Sequence, residues 1–297
     1  MAFATATLSR RRTVTGVLLV SPALAMVTVF FLIPLALMIW MSLHKWPLLG
    51  HPSWAGLANY TAMFKDPTFL HALGFTAKYT VIITPVLLVV GFGLAVLVKD
   101  QRPGVGFFRT TFFMPYVIGF AAASYLWLWL LDPGVGLLDR ALQDLGLVSK
   151  PILWMATPNR ALFAVIMMVV WKVVGFTMLL LMSGLQGIPN EVQEAAKVDG
   201  AKRRQALFHV TLPLLRRNIA LVTILAVAGS FLAFDQFYIL TNGGPNNQTL
   251  TLVFWIYSSS FANFQLGYGA AMSVVLMLIL MAITMVQLYL LRDETEA

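Results

Sequence analysis

Residues 187–213 read GIPNEVQEAAKVDGAKRRQALFHVTLP and join two long apolar segments of the chain. Asn190 is a candidate helix N-cap because its side-chain oxygen can accept a hydrogen bond from a free backbone N–H, and the acidic residues that follow favour the first helical turns. Gly200 predicts a break, since glycine readily adopts left-handed backbone angles. A basic second helix is expected next, and Pro213 is expected to end it. The stretch therefore predicts two short helices that meet at an angle.

The composition of the whole chain indicates an integral membrane protein. Of its 297 residues, 59% are hydrophobic and 11% are charged, and the mean hydropathy is +0.82. An ordinary soluble domain carries about 25% charged residues and could not bury this much apolar surface. The composition excludes a disordered chain, a collagen and a disulfide-stabilised secreted domain. The absence of cysteine also excludes a thiolate metal site and a cysteine nucleophile.

Six apolar stretches are long enough to cross a bilayer as helices, which takes about 20 residues each. We therefore predict an all-α integral membrane protein, with a six-helix transmembrane domain flanked by a cytoplasmic N-terminal segment and a cytoplasmic tail. The predicted N-terminal segment is 1–16, the domain is 17–291, the tail is 292–297, and the spans are roughly 17–41, 76–98, 110–131, 161–185, 218–240 and 269–291.

Lysine and arginine residues predict the orientation, because they are enriched in cytoplasmic loops. With the N-terminus inside, the cytoplasmic side carries Arg10, Arg11, Arg12, Lys99, Arg102, Arg109, Lys197, Lys202, Arg203, Arg204, Arg216, Arg217 and Arg292. The outer side carries Lys45, Lys65, Lys78, Arg140, Lys150 and Arg160. Both termini are therefore predicted to be cytoplasmic, and the net charge of +8 is assigned to membrane topology rather than to nucleic-acid binding.

The 187–213 stretch also carries a long motif: Glu-Ala-Ala, three residues, glycine, nine residues, an aliphatic residue, any residue and Leu-Pro. Its fixed positions are Glu194, Ala195, Ala196, Gly200, Val210, Leu212 and Pro213. The motif resembles the signature of binding-protein-dependent ABC importer permeases, with Val210 where isoleucine is commoner. From composition alone, an amphipathic interfacial helix held by anionic lipid is the alternative.

The resemblance extends over about 70–292, which look like the carbohydrate-uptake branch with its maltose, trehalose and glycerol-phosphate permeases. Thr241-Asn242-Gly243-Gly244-Pro245 and Met114-Pro115-Tyr116 also look like segments of that branch. The resemblance implies a type I ABC importer permease fold in which the 187–213 loop forms a cytoplasmic coupling helix. The implied ATPase-coupling residues are Glu194, Ala195, Ala196, Asp199, Gly200, Leu212 and Pro213.

The same resemblance implies the partners and the source of energy. The chain has no Gly-x-x-x-x-Gly-Lys-Ser/Thr phosphate loop, so ATP and magnesium are expected on a separate ATPase, and this chain is expected to bind no cofactor and to be no enzyme. The expected assembly holds a second homologous permease subunit, two ATPase subunits and an extracytoplasmic substrate-binding protein in the bacterial plasma membrane. The expected partners also include a small-molecule substrate and membrane lipid, but no nucleic acid.

Two charged residues fall inside predicted spans, where charge is costly and usually marks a pathway or an ion pair. Lys172 would lie about 16 Å from the outer face and Asp235 about 8 Å, at the helical rise of about 1.5 Å per residue. The two residues could form an ion pair within the bundle, or one or both could face the translocation path. A pair that lines a cavity would satisfy both interpretations.

Candidate substrate-path residues follow from the maltose-type relatives, whose substrate contacts come from the middle of the corresponding spans. Aromatic faces stack on sugars, while amides and carboxylates hydrogen-bond to hydroxyls. The implied cargo is a sugar, a glycerol-phosphate or a glycerophosphodiester, and Lys172 could attract a phosphate. For any single aromatic residue, core packing remains open. The candidates are Tyr116, Phe120, Lys172, Val173, Phe176, Asp235 and Gln236.

Two other classes of function compete with an importer that works by alternating access. A secondary transporter driven by an ion gradient would suit six spans with internal charges, but it leaves the 194–213 motif unexplained. An intramembrane enzyme would need clustered histidine, serine or acidic residues. The histidines, His44, His51, His71 and His209, fall outside the predicted spans without ligand spacing. Dependence of uptake on ATP separates the first two classes.

Overall fold

The computed structural model describes residues 16–47, 50–100 and 102–292. Within these ranges, five helices are long and apolar enough to cross a membrane, and a bent pair of helices makes a sixth span if it is counted as one. The predicted cytoplasmic segment 1–16 and tail 292–297 lie almost wholly outside the described residues, as do Arg10, Arg11 and Arg12. The described part divides into two compact units.

The first unit holds the described residues of 1–65 together with 256–275. Helix α1 (Gly16–Ser42) widens into a π turn at Thr28–Leu32. Two short antiparallel strands follow, β1 (His44–Lys45) and β2 (Ser53–Trp54), with His44 opposite Trp54, and then helix α2 (Ala58–Lys65). Asn59 on α2 donates hydrogen bonds to the carbonyls of Ser42 and His44 at 2.8 and 3.0 Å, which ties α2 to the end of α1.

The second unit holds 66–255 and the described residues of 276–297. Asp66 caps its first long helix by accepting the Thr68 N–H at 2.8 Å, because a helix start leaves its first N–H groups without partners. Helix α11 (Leu252–Ala262) begins in this unit and helix α12 (Leu266–Arg292) ends in it. The helices between are α3 (Pro67–Val98), α4 (Val105–Val117), α5 (Phe120–Leu130), α6 (Leu137–Asp144), α7 (Pro158–Gln186), α8 (Asn190–Val198), α9 (Arg203–Phe231) and α10 (Phe237–Thr241).

Glycines set the closest contacts of α7 with its neighbours. A Cβ atom on Gly91 of α3 would clash with the Thr177 side chain of α7, and one on Gly175 would clash with the backbone of Phe112 on α4. A Cβ on Gly184 would likewise meet Asn218 of α9. Small residues let membrane helices approach closely and gain packing contacts. Helix α7 is therefore the centre of the unit, with α3, α4 and α9 packed against it.

The predicted span 110–131 is not a single helix. Its two halves, α4 and α5, meet at a bend of 100°. Ile118 and Gly119 between them have extended backbone angles, with ψ of 135° and 148°. Apolar length alone does not show this break, although Pro115 and Gly119 next to it are residues that favour one. The carbonyls that the break frees are bound by a residue of α7, described below.

The predicted span 218–240 also differs. Helix α9 starts at Arg203 and ends at Phe231, so Asp235 lies beyond a break rather than in the last turns of a helix, and its depth as estimated from helical rise was wrong. Thr251 compensates the break by donating to the free Ala233 carbonyl at 2.8 Å. Helix α3 begins nine residues before the predicted start, at Pro67, and therefore contains His71.

Two local predictions for the 187–213 stretch were wrong. Pro189 holds the N-cap position of α8, and Asn190 is the first helical residue, with no capping hydrogen bond from the residue at the N-cap. Pro213 does not end a helix, because α9 continues through it to Phe231. A π turn at Leu207–Thr211 lies immediately before Pro213 and widens the helix where the proline ring and its missing N–H would disrupt an ordinary turn.

Candidate functional site

A cavity of about 260 Å³ lies inside the second unit, among α3, the α4–α5 bend, α7, α9 and the turn before α10. Its walls are mostly apolar, and no charged side chain is among its lining residues. The lining residues are Tyr79, Ile83, Leu87, Tyr116, Phe120, Val169, Val173, Phe176, Thr177, Leu180, Val222, Leu225, Ala226, Gly229, Ser230 and Gln236. Five of the seven candidate path residues are therefore on one surface: Tyr116, Phe120, Val173, Phe176 and Gln236.

The polar part of this cavity centres on Tyr79 and Gln236. Both side chains are buried, with 1% and 4% exposure, and the Tyr79 hydroxyl hydrogen-bonds to the Gln236 side chain. Ser230 donates to Thr80 at 2.8 Å beside them. A buried polar group is costly unless it has a partner, so this cluster is held in place by its own hydrogen bonds. The spare donor and acceptor capacity of the Gln236 amide is available to a ligand.

Aromatic rings form the opposite kind of surface in the same cavity. The rings of Tyr116 and Phe176 stack with centroids 4.5 Å apart and planes 7° from parallel. Phe120, the first residue of α5, also lines the cavity. The bend between α4 and α5 is what brings Tyr116 and Phe120 to the same surface. Stacked and adjacent rings offer the flat apolar faces that sugar rings pack against.

Lys172 does not line the cavity, but it binds the backbone next to residues that do. Its ammonium donates hydrogen bonds to the carbonyls of Tyr116 and Ile118, at 3.2 Å for Tyr116, and it is only 3% exposed. It also lies 4.4 Å from the centroid of the Phe120 ring. These carbonyls are freed by the α4–α5 bend, and hydrogen bonds from a charged donor are about twice as strong as neutral ones. Lys172 therefore bridges α7 to both sides of the bend.

Asp235 is neither paired with Lys172 nor among the lining residues. Within the described residues, no ion pair joins the two, so the interpretation of a Lys172–Asp235 salt bridge was wrong. Sequence patterns failed here because the two residues were placed by helical rise, whereas a break separates Asp235 from α9. Asp235 is half-buried and directly precedes Gln236, which does line the cavity.

Several cavity residues were missed from the sequence. Tyr79, Thr177 and Ser230 lie in long apolar helices where nothing in the local pattern separates them from other packing residues. Tyr79 had one available signal: it is a polar aromatic residue within a predicted span, and a buried tyrosine usually finds a hydrogen-bond partner.

The predicted coupling residues lie outside the cavity, on helix α8, in the turn after it and within α9. Helix α8 carries Glu194, Ala195 and Ala196, and its side chains are exposed except for the half-buried Ala196, with nothing described for residue 193. Val198 is 87% exposed, the highest value among the large apolar side chains described. Glu194 has no salt-bridge partner in the part of the chain that the structure describes. Helix α8 thus presents apolar and acidic groups that no described residue of this chain covers.

The end of α8 is shaped by Gly200, which has a φ of +77°. The Ala201 N–H bonds to the Ala196 carbonyl at 2.9 Å and the Gly200 N–H to the Lys197 carbonyl at 3.0 Å, so the helix closes with the left-handed residue that such ends favour. Asp199 is the C-cap residue, and the Lys202 N–H that follows is accepted by Gln205 at 2.8 Å. Leu212 and Pro213 lie further on, within α9. The predicted break at Gly200 is confirmed.

The loop after α10 contains the Thr241–Pro245 segment and is folded tightly on itself. Asn242 and Gly243 have positive φ values of 46° and 74°. The Thr241 hydroxyl accepts from Thr249 at 2.8 Å, and Thr249 is fully buried. The N–H of Leu252 then bonds to Thr76 on α3 at 2.9 Å. This segment therefore attaches to α3 the turn in which Gln236 lies.

Comparison with known proteins adds a family and two close relatives. Residues 88–294 match the family described as binding-protein-dependent transport system inner membrane components. The chain is 33% identical over 281 residues to the sulfoquinovosyl glycerol transport system permease protein SmoG of Agrobacterium fabrum, covering 94% of this chain and 91% of that protein. It is 34% identical over 276 residues to the sn-glycerol-3-phosphate transport system permease protein UgpA of the same species, covering 91% and 92%.

Among solved structures, one chain of a bacterial ABC transporter involved in the import of the acidic polysaccharide alginate has a closely similar fold. The TM-score is 0.82 over 99% of each chain, at 19% sequence identity. At that identity the likeness concerns the fold alone. The predicted all-α importer permease fold is thereby confirmed.

Proposed function

The chain belongs to the family of binding-protein-dependent transport system inner membrane components, and from that premise we propose that it forms half of a gated path for a hydroxyl-rich solute. The path is the cavity between α3, α7 and α9, and the gate is moved through α8. The observation that supports this proposal is the position of α8 in the chain: it directly connects α7 and α9, and both of these helices line the cavity.

The coupling step follows from that connection. Helix α8 is the coupling helix, and its exposed Glu194 and Val198 dock on a separate ATPase subunit. Because α7 and α9 carry the Val173 and Ser230 walls of the cavity, a displacement of α8 changes the cavity itself. The nucleotide then drives transport by binding the ATPase more tightly in one of two states, which is the requirement for any ligand-driven conformational shift.

The cargo proposed for this cavity is a sugar or a glycerol-phosphate type of compound, bound through its hydroxyl groups. The two relatives named above are permeases for sulfoquinovosyl glycerol and sn-glycerol-3-phosphate, which share a glycerol part. In this chain the cavity offers the amide of Gln236, the hydroxyl of Tyr79 and stacked rings, all uncharged. These groups suit hydroxyls and sugar faces, and the counter-charge for an anionic group would come from the second permease subunit.

The remaining parts of the assembly are proposed on the basis of the family. A second homologous permease subunit faces this one, two ATPase subunits bind ATP and magnesium and hydrolyse the ATP, and an extracytoplasmic binding protein delivers the solute. Both termini lie in the cytoplasm, in keeping with the excess of lysine and arginine that this orientation gives to the inner loops.

The test is reconstitution of the complex in proteoliposomes. The chain is purified with the subunits that accompany it, and uptake of labelled maltose, trehalose, sn-glycerol-3-phosphate and a glycerophosphodiester is measured with the binding protein present. We expect that at least one compound of this panel is taken up and that its uptake requires ATP. The ATP must be on the side of the membrane on which the ATPase lies. Uptake that follows an imposed ion gradient without nucleotide would contradict the proposal in favour of a secondary transporter.

A further inference from the structure

A second, larger space lies away from the cavity described above. It is an open groove of about 630 Å³ between the first turns of α3 and the first turns of α7. His71, Gly74 and Lys78 lie on one face of α3, spaced three and four residues apart as neighbours on a helix surface are. The other lining residues are Leu70, Phe75, Pro158, Asn159, Leu162 and Gln248.

The polar groups of this groove favour an anion. Lys78 and His71 are both exposed, and in the described ranges neither makes a hydrogen bond or an ion pair. Asn159 and Gln248 add amide donors, and Asn159 is the second residue of α7, where the helix dipole is positive. The groove thus holds a lysine ammonium, and among its described lining residues there is no carboxylate to pair with it.

The depth of Lys78 matches the boundary between hydrocarbon and headgroups. Helix α3 has 32 residues, so at about 1.5 Å per residue it is about 48 Å long and extends about 9 Å beyond each side of a hydrocarbon core of about 30 Å. Lys78 lies about 16 Å from the start of the helix, and its side chain of about 6 Å points back toward that start. Its ammonium therefore reaches the boundary between hydrocarbon and headgroups, where the phosphate of a lipid can approach it.

The face that carries Lys78 is left uncovered by the described part of this chain. The neighbouring apolar side chains on it are exposed, Leu70 at 49% and Val81 at 72%. Gly74, one turn before Lys78, leaves open space: a Cβ atom built there would have nothing within 4 Å. The ammonium of Lys78 reaches the level of this gap, so a phosphate group has room beside the cation and the His71 ring.

We propose that this groove binds the phosphate of an anionic phospholipid, with Lys78 as its main charge partner, His71 and the amides of Asn159 and Gln248 as hydrogen-bonding groups, and Gly74 as the space for the headgroup. This site is separate from the cavity, and the proposal depends only on insertion of the chain in a membrane.

The test uses the full-length chain, purified in mild detergent with the subunits that accompany it, and native mass spectrometry to count bound lipids. Phosphatidylglycerol and phosphatidylethanolamine are titrated in turn. Lys78→Gln removes the charge, and Gly74→Leu fills the gap while keeping every cation. Lys65→Gln, which removes an exposed lysine at the end of α2, is the matched control.

We expect the wild type and Lys65→Gln to retain one more phosphatidylglycerol than either groove variant, with an affinity roughly fivefold higher, as one surface cation typically contributes. Retention of phosphatidylglycerol by Lys78→Gln and Gly74→Leu at the level of the wild type would overturn the proposal. Thermal stabilisation by inorganic phosphate without lipid retention would assign the groove to a free anion instead. Loss of a subunit from Lys78→Gln with lipid binding unchanged would show that a protein covers the groove.

Discussion

The cavity and helix α8 differ in how many of their polar and apolar groups find partners within this chain. In the cavity, Tyr79 and Gln236 bond to each other, and Lys172 nearby has two carbonyl partners and an aromatic ring. On α8, Glu194 has no ion-pair partner among the described residues, and Val198 is 87% exposed. One region is preorganised by the chain itself, whereas the other is left uncovered by the described residues, as the proposed docking on an ATPase requires.

This difference separates two kinds of residue in the proposed transport cycle, those that shape the cavity and those that lie on α8. A substitution in the cavity region acts on a structure that is already complete, so its effect follows from lost hydrogen bonds and packing. If α8 docks on an ATPase as proposed, a substitution on it should leave the isolated chain nearly unchanged and should act on assembly or coupling. The experiments below separate the two kinds by measuring uptake, ATP hydrolysis and subunit assembly on the same variants.

The largest effect is expected from Gly200→Val. A β-branched residue at a φ of +77° is strained by about 1–2 kcal/mol or more, so the bend after α8 changes. Because nothing else contacts a Cβ at this position, the folded core of the chain is untouched. We expect coupled uptake to fall by more than about tenfold, with ATP hydrolysis uncoupled from transport or the ATPase lost from the complex.

Gly146→Val is the matched control for that variant. Gly146 also has a positive φ, +69°, and also has open space around its Cβ position, but it follows α6 rather than α8. The backbone strain is therefore similar, and helix α8 is unaffected. If both variants lose uptake equally, or if Gly200→Val transports normally, the role assigned to the bend is wrong.

Lys172→Ala is expected to have the next largest effect. It leaves the Tyr116 and Ile118 carbonyls at the bend without their donor, at a cost of about 1–3 kcal/mol for such buried groups. We expect uptake to fall roughly tenfold while the ATPase and the second permease still co-purify. Lys172→Met, which keeps the length of the side chain, should behave in the same way.

Uptake of the different cargoes shows whether Lys172 only stabilises the bend or also binds the cargo. If the residue only holds the bend, uptake of a neutral sugar and of a phosphorylated cargo should fall by the same factor. Loss restricted to phosphorylated cargo would instead show that Lys172 binds the phosphate, and unchanged uptake of every cargo would remove it from the transport mechanism.

The positions of the spans and of α8 could be predicted from the sequence because apolar length and the Glu194–Pro213 motif are local signals. The break at Gly200 was predictable for the same reason, since a left-handed helix end requires one residue type. The 100° bend between α4 and α5 was not predicted: Pro115 and Gly119 are local signals of a break, but the freed carbonyls are bound by Lys172, which is 54 residues away from Ile118. The strength of a local break depends here on a distant side chain.

The candidate site was predicted in part for a related reason. Tyr116, Phe176 and Gln236 were named from resemblance, and the structure places all of them on the cavity. Asp235 was placed by extending α9 through residues whose break depends on Thr251, in a loop that folds back later in the chain. Tyr79 was missed because its role depends on meeting Gln236, a contact that periodicity cannot show.

Tyr79→Phe tests the preorganised region at a finer scale. It removes the hydroxyl that bonds to Gln236 and costs about one hydrogen bond, so we expect the KM for uptake to rise roughly fivefold with assembly unchanged. Gln236→Leu should cause a similar rise, and the double variant should lose less than the sum if the two act as one unit. Tyr289→Phe, at a residue that is 66% exposed on α12, is the control and should leave KM unchanged.

The smallest effect is expected at Asp132, in the turn after α5. The N–H groups of Val135 and Gly134 bond to its carboxylate at 2.9 and 2.8 Å and hold the pKa of that carboxyl below its ordinary value. A lowered pKa in the folded state stabilises the fold above the ordinary pKa of about 3.9, and this contribution is lost as the pH falls through the lowered pKa.

Asp132→Asn keeps an acceptor oxygen and removes only the charge, so the melting temperature should fall slightly, by the same amount at about pH 7 and about pH 5. A difference that grows between these two pH values would contradict the lowered pKa. Lys172 and Asp132 are both charged groups bonded to backbone of a turn, but Lys172 is 3% exposed and Asp132 faces water. Water replaces the lost bonds at Asp132 and cannot do so at Lys172, which is why burial, and not the number of hydrogen bonds, sets the order of these effects.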